Sequence, residues 1–122
     1  VGNSSLAGNV YAACDYNPYS SSPNHVKFVE AFQAAYDGLI PSEPAGFTYD
    51  AFTIICDAVA KGATRENIIE TIKTMTFTNL VCAEEVVFDE NGNRVGSGND
   101  IVVIKDGDFC ASGETVDTTG IY

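Results

Sequence analysis

Two stretches of the sequence decide the C-terminal part of the fold. They are Val-Val-Phe-Asp-Glu-Asn-Gly-Asn at residues 86–93 and Ile-Val-Val-Ile-Lys-Asp-Gly-Asp-Phe at residues 101–109. Each apolar run is rich in β-branched or aromatic residues and leads into a turn signal, Asn91-Gly92 or Asp106-Gly107. Such dipeptides favour tight hairpin turns in which both central residues take a positive φ. The spacing therefore predicts strands at residues 86–88 and 101–105 and a β-hairpin near the carboxyl end.

The first helix is predicted to start at residue 23 and to end near residue 36. Ser22 is a favourable N-cap, Pro23 suits the first helical position, and Gly38 can take the left-handed conformation that closes a helix. Upstream, residues 9–14 form a short, mostly apolar run that predicts a strand. Asn, Pro and Ser residues between this strand and the helix indicate a turn region.

Two further helices follow a loop that contains two prolines. The second is predicted over residues 47–61, and the third begins after an N-cap at Thr64. The second helix is expected to bury one apolar face, formed by Ala51, Phe52, Ile55, Ala58 and Val59. These elements predict an α/β fold of three helices, a short N-terminal strand and a C-terminal β-hairpin. We assign them to residues 1–110 and expect the polar residues 111–122 to form a loose C-terminal tail.

The chain is strongly acidic. Its 122 residues include 17 acidic and 6 basic side chains, which give a formal net charge of −11. Binding to nucleic acid or to anionic membrane surfaces depends on Lys and Arg, so this balance argues against both. No apolar run approaches the roughly 20 residues of a membrane helix. The first residues lack the basic and apolar regions of a signal peptide, so we expect a processed leader or a longer chain.

No pattern in the chain points to an enzyme, a metal site or a cofactor site. His25 is the single histidine, and no nucleophile motif accompanies it, so we expect it at the surface. The four cysteines, at positions 14, 56, 82 and 110, lack zinc-motif spacing. We expect Cys56 to be a buried free thiol. Cys82 and Cys110 flank the last strands and could pair under oxidising conditions.

Four aromatic residues are the candidates for ligand binding. Tyr16 and Tyr19 follow the end of the first strand, which is where ligands meet open α/β sheets. Phe47 and Tyr49 open the second predicted helix, where they could form an aromatic wall of a cleft. The alternatives are an ordinary polar connection for the first pair and core packing for the second.

In their order and spacing, these elements resemble the C-terminal third of type I periplasmic solute-binding proteins, the branched-chain amino acid-binding family of ABC importers. The resemblance covers about residues 9–110. It rests on the helix at residues 26–36, the helix start Tyr49-Asp50-Ala51, and the turn at residues 88–92 that leads into residues 101–109. The chain departs from the family's pattern in its four cysteines and in the absence of glycine from residues 77–85.

The resemblance implies two α/β lobes that are joined by three crossing strands and close on a ligand by a hinge. It implies an extracytoplasmic component of an ABC importer that binds an amino acid or similar small polar ligand without a cofactor and meets an ABC permease. The location would be periplasmic or extracellular, with a lipid anchor as one option. Two alternatives stay open: the sensing domain of a membrane receptor with this fold, and a free-standing α/β interaction module.

The resemblance also predicts how the isolated chain behaves. The helices would cover a parallel sheet whose other strands lie outside residues 1–122. Their apolar faces would then lack partners, so we expect a homo-oligomer or a domain-swapped dimer of this chain.

Overall fold

The computed structural model describes residues 10–96, 99–105 and 108–116. Three helices lie between an N-terminal strand and four later strands. The elements are β1 (Tyr11–Cys14), α1 (Pro23–Ala35), α2 (Glu43–Ala60), α3 (Ile68–Lys73), β2 (Val87–Phe88), β3 (Arg94–Val95), β4 (Asn99–Lys105) and β5 (Asp108–Val116). The order β1-β4-β5 forms one antiparallel sheet, and β2 and β3 form a separate hairpin. The predicted α/β fold, with an N-terminal strand and a C-terminal hairpin, is confirmed.

Helix α1 begins and ends where the local chemistry of the sequence predicts. Ser22 is its N-cap residue, although the Ser22 side chain makes no capping hydrogen bond, and Pro23 occupies the first turn. At the other end, Gly38 has φ +80° and its N–H donates to the Gln33 carbonyl over 2.8 Å. A glycine in this conformation satisfies carbonyl groups that the helix leaves unpaired.

Helices α2 and α3 differ from their predicted bounds. Helix α2 starts at Glu43, four residues before the predicted start, with Pro44 in its first turn. Proline is tolerated there because a first-turn N–H has no helical partner to lose. Helix α3 starts at Ile68, and its N-cap is Asn67 rather than Thr64. The Asn67 carboxamide oxygen instead accepts from the Thr64 N–H over 2.7 Å, which closes a turn before the helix.

The core contradicts the predicted face of α2. Phe52, Ile55 and Val59 are exposed, whereas the buried positions on α2 are Gly46, Asp50 and Ala58. The main hydrophobic cluster is formed by residues later in the sequence, Phe77, Leu80 and Val86. The side chains packed against it are Ile54, Ile72, Met75, Ala83 and Phe88. The segment after α3 therefore covers the face of α2 that carries Asp50, because that carboxylate can satisfy the segment's backbone N–H groups.

The two C-terminal hairpins also depart from prediction. Asn91 and Gly92 were both expected to take a positive φ, but of the two only Gly92 does, at +85°. The Asp89 carboxylate instead organises a wider turn by accepting from the Asn91 and Asn93 N–H groups over 2.9 and 2.7 Å. Strand β5 continues to Val116. Residues 111–116 of the predicted tail are thus a strand, and the Asp106-Gly107 turn lies outside the described residues.

Within the described ranges, no helix is long and apolar enough to cross a membrane.

Candidate functional site

Asp50 and His25 both contact one segment of the chain, residues 81–82, and we call this arrangement the Val81 junction. The Asp50 carboxylate accepts from the N–H groups of Val81 and Cys82 over 2.7 and 2.9 Å. The His25 ring contacts the Val81 carbonyl through Nδ1 at 3.2 Å and the Pro18 carbonyl through Nε2 at 3.1 Å. The junction therefore links α1, α2, the segment after β1 and the segment after α3.

His25 is buried, with 1% of its surface exposed, so the expected surface position is wrong. Both ring nitrogens face carbonyl oxygens, and a neutral imidazole carries one N–H to donate. The reason for the burial is tertiary. The ring is enclosed because Tyr16 packs beside it, with the ring centroids 5.4 Å apart and the planes tilted by 49°, and because the Val81 carbonyl contacts its Nδ1.

Tyr16 belongs to the interior of this junction. It is 4% exposed, and its hydroxyl is buried without a hydrogen-bond partner among the described residues. Burial raises the pKa of Tyr16 to about 12, with smaller contributions from Cys82 and Asp50. A Cβ at Gly46 would lie 2.7 Å from the Tyr16 ring and 2.8 Å from the Cys82 sulfur, so glycine is what permits this approach.

Two of the cysteines are not where the sequence predicts. Cys82 carries a free thiol, so the Cys82–Cys110 pair is not formed; the Cys110 side chain lies outside the described residues. Burial, followed by the neighbouring Asp50 charge, raises the pKa of Cys82 well above its usual value. Cys56, expected to be buried, is free and exposed on α2. The burial and electrostatics of Cys82 do not suit a nucleophile.

A first depression, the aromatic depression, lies between α1 and α2 and has a volume of about 180 Å³. The Phe28 and Tyr49 rings form its wall, with their centroids 5.0 Å apart. Its lining residues are Asn24, Lys27, Phe28, Ala31, Tyr49, Asn79 and Val81. It thus combines an aromatic surface with one ammonium group and two carboxamides, a mixture that suits a small ligand with both apolar and polar parts.

The four predicted site residues do not come together in one depression. Tyr49 is half exposed and lines the aromatic depression. Tyr19 is exposed on the turn before α1, and Phe47 is partly buried in the first turns of α2. Neither of these residues, nor the buried Tyr16, lines the aromatic depression or the second depression described next.

The second depression, the serine–arginine depression, is larger, at about 840 Å³. It lies between the turn before α1, the segment after residue 80 and the β2–β3 hairpin. Its lining residues are Asn17, Ser20, Ser21, Ser22, Pro23, Val81, Cys82, Ala83, Glu84, Glu85, Val87, Arg94, Val95 and Gly96. The buried Nε of Arg94 has no hydrogen-bond partner among the described residues. The sequence analysis missed Arg94, because no motif marks an isolated arginine on a short strand.

The two depressions present mixed apolar and polar surfaces of the kind that recognise small molecules. Within residues 10–96, 99–105 and 108–116, no group of three or more His, Cys, Asp or Glu side chains could hold a metal ion. The buried titratable groups of the Val81 junction are engaged with backbone groups or packed in the interior. The fold and the two depressions therefore define a class, an α/β protein that presents recognition surfaces.

Comparison with known proteins gives the family. Residues 2–108 match the family model described as periplasmic binding protein, and the chain belongs to this family. A solved leucine-binding protein from Thermotoga maritima has a TM-score of 0.73 and 26% identity, over 96% of this chain and 33% of that one. A solved branched-chain amino acid ABC transporter protein from Rhodospirillum rubrum has a TM-score of 0.72 and 28% identity, over 90% of this chain and 32% of that one.

These findings confirm the family and the fold that the sequence predicts. The fold is that of type I periplasmic binding proteins, the family model is that of a periplasmic binding protein, and the first of these two neighbours is described as a leucine-binding protein. The chain spans about a third of the length of each solved structure. No curated protein matches the chain in a sequence search.

Proposed function

We propose that this chain is part of the extracytoplasmic solute-binding component of an ABC importer, and that the ligand is an amino acid or a similar small polar molecule. The observation that carries the proposal is the family match over residues 2–108 together with two structural neighbours that are described by branched-chain amino acid binding or transport. In this role the protein performs no reaction. The ligand stabilises the closed arrangement of two lobes, which the permease then recognises.

The aromatic depression supplies one wall for such a ligand. Its volume, about 180 Å³, is below the roughly 300–1,000 Å³ of complete ligand pockets, so the opposite wall has to come from elsewhere in the receptor. The rings of Phe28 and Tyr49 suit an aliphatic side chain. The Lys27 ammonium can donate hydrogen bonds to polar oxygens of the ligand, and the carboxamides of Asn24 and Asn79 can donate or accept them.

The other candidates have different roles in this proposal. Tyr19 and Phe47 lie near the ends of α1 and α2 and would contact the ligand from the rim once the lobes close. Tyr16 is buried, so it would act from beneath by holding the turn before α1 against Gly46. Tyr49 is therefore the residue whose side chain we expect to contribute most to affinity.

Ligand-dependent thermal stability of the full-length protein tests the proposal. Amino acids should raise the melting temperature, because a ligand that binds the native state stabilises it. Tyr49→Ala should weaken the affinity about 10-fold through loss of the aromatic wall. Tyr36→Ala is the matched control, since Tyr36 is a tyrosine of similar exposure at the C-cap of α1 and lines neither depression. Absence of any ligand among amino acids and similar small polar molecules, or equal affinity of the Tyr49 and Tyr36 variants, would contradict the proposal.

Location and assembly follow from the same proposal. A periplasmic or extracellular location fits the family, and a lipid anchor is one way to retain the receptor at the membrane. The exposed apolar side chains on α2 and α3 support self-association of the 122-residue chain; they are Phe52, Ile55, Val59 and Ile69. Sedimentation of the purified chain should show a dimer or larger species. A monodisperse monomer would remove self-association from the account.

A further inference from the structure

Among the residues that the structure describes, Arg94 in the serine–arginine depression makes no ion pair. Its Nε atom is enclosed by protein and makes no hydrogen bond among the described residues. Where side chains are described, the ion pair that forms is Lys73–Glu70, on the surface of α3. A guanidinium group always carries its charge, and an enclosed N–H without a partner is costly. Such a group is therefore expected to have an acceptor that these residues do not provide.

Within the described part of the chain no carboxylate pairs with Arg94, although the sequence is rich in carboxylates and two of them line the same depression. The sequence has 17 acidic residues, and Glu84 and Glu85 line the same depression. Neither glutamate is within ion-pair distance of Arg94, and both are exposed. Among the described residues the Arg94 guanidinium thus has no carboxylate partner, although two glutamates line the same depression.

Other groups of the depression also favour an anion. Ser20, Ser21 and Ser22 line it and bring hydroxyl donors. They precede the 13-residue helix α1, whose N-terminal N–H groups and dipole favour negative charge. The Ser22 hydroxyl is not used as a helix cap. At about 840 Å³ the depression lies within the size range of ligand pockets.

We propose that Arg94 binds a carboxylate group in the serine–arginine depression, paired through the guanidinium and assisted by the serine hydroxyls. The guanidinium matches the two oxygens of a carboxylate and can bind both at once. The carboxylate has two sources, a free amino acid or an acidic side chain of another polypeptide segment. For a free solute, Glu84 and Glu85 favour one that also carries an ammonium group. The free-solute source rests on the proposed function.

The test uses the full-length protein with Arg94→Met and Arg94→Lys. Methionine keeps much of the apolar packing and loses the charge, whereas lysine keeps a charge. Arg65→Met is the control, because Arg65 is an exposed arginine that lines neither depression. Two quantities are measured for each variant: the melting temperature without ligand, and the affinity for leucine and for leucinamide, in which a neutral carboxamide replaces the carboxylate.

If the carboxylate belongs to a free solute, Arg94→Met should weaken leucine binding about 10-fold or more and leave leucinamide binding unchanged. If the carboxylate belongs to an acidic side chain of another polypeptide segment, Arg94→Met should lower the ligand-free melting temperature by several degrees relative to Arg65→Met. In either case Arg94→Lys should retain more of the wild-type value than Arg94→Met. The proposal is overturned if the methionine variant equals or exceeds the lysine variant in both quantities.

The design separates this inference from the proposed function. If the wild-type protein binds no amino acid, the proposed function fails, and the ligand-free melting temperatures alone decide the role of Arg94. If leucine binds equally well to wild type and to Arg94→Met, and the ligand-free melting temperatures are also equal, the proposed function stands and the role of Arg94 is refuted.

Discussion

Replacement of Asp50 by alanine should be among the most damaging single changes in this chain. Asp50 is 6% exposed, and its two carboxylate oxygens accept from the N–H groups of Val81 and Cys82. Alanine leaves both donors without a partner in a region with little water access. Hydrogen bonds to charged groups contribute about 1.5–3 kcal/mol each, so we expect a loss of about 3–5 kcal/mol. That is a large part of a typical free energy of unfolding, about 5–15 kcal/mol.

Two further variants make the prediction specific. Asp50→Asn keeps the shape and one acceptor oxygen, but its NH₂ group faces an N–H donor, so about half of the loss is expected, roughly 2 kcal/mol. Asp57→Ala removes the same side chain from a position seven residues further along α2. Among the described residues the Asp57 side chain makes no hydrogen bond or ion pair, so the change should be within about 0.5 kcal/mol.

Urea unfolding followed by circular dichroism measures all three variants, with the free energy taken by linear extrapolation. The expected order of stability is wild type and Asp57→Ala together, then Asp50→Asn, then Asp50→Ala. A loss below about 1 kcal/mol for Asp50→Ala would refute the view that Asp50 holds the segment after α3. So would equal losses for the alanine variants at positions 50 and 57, because the effect would then come from the helix surface in general.

Three other predictions concern the same junction. Gly46→Ala should lower stability by about 1–3 kcal/mol in urea unfolding, because a Cβ would meet the Tyr16 ring and the Cys82 sulfur. Ala normally favours a helix over Gly, and Ala45→Gly measures that helix contribution separately. A Gly46→Ala variant more stable than wild type would contradict the close packing of Tyr16 and Cys82 against residue 46. Tyr16→Phe should be neutral or stabilising at neutral pH, since it removes a buried hydroxyl without a partner. In the folded chain the pKa of Tyr16 is raised from 10.0 to about 12, and the pKa of Cys82 is raised above its usual 9.0. The contribution of these two neutral groups to stability is therefore complete below about pH 9 and is lost as the pH rises further. Unfolding measured from pH 8 to 11 should show a steeper decline of stability for wild type than for Tyr16→Phe, and equal slopes would contradict this prediction. Iodoacetamide with peptide mass spectrometry should modify the exposed Cys56 well before Cys82, and comparable rates would show that Cys82 is more accessible than its burial implies.

The ends of α1, the Gly92 turn and the order of elements could be predicted from the sequence because each depends on residues a few positions apart. Ser22, Pro23 and Gly38 bound α1 through backbone requirements that any context shares. The order of the three helices and the final strands was enough to indicate the family, which the match over residues 2–108 confirms. The acidic composition was likewise visible without any structure.

The interior of the molecule was decided by tertiary contacts. Asp50 meets Val81 across 31 residues, and His25 meets the same residue across 56. No local pattern records such contacts, so His25 was expected at the surface, and Asp50 was recognised only as part of a helix start. The exposed face of α2 was mispredicted for the same reason: periodicity shows that a helix has an apolar face, but which face is covered depends on the segment that packs there. Arg94 also became a candidate only when the fold placed it in a depression with its Nε enclosed and without a hydrogen-bond partner among the described residues, because the enclosure of a donor is a property of its surroundings.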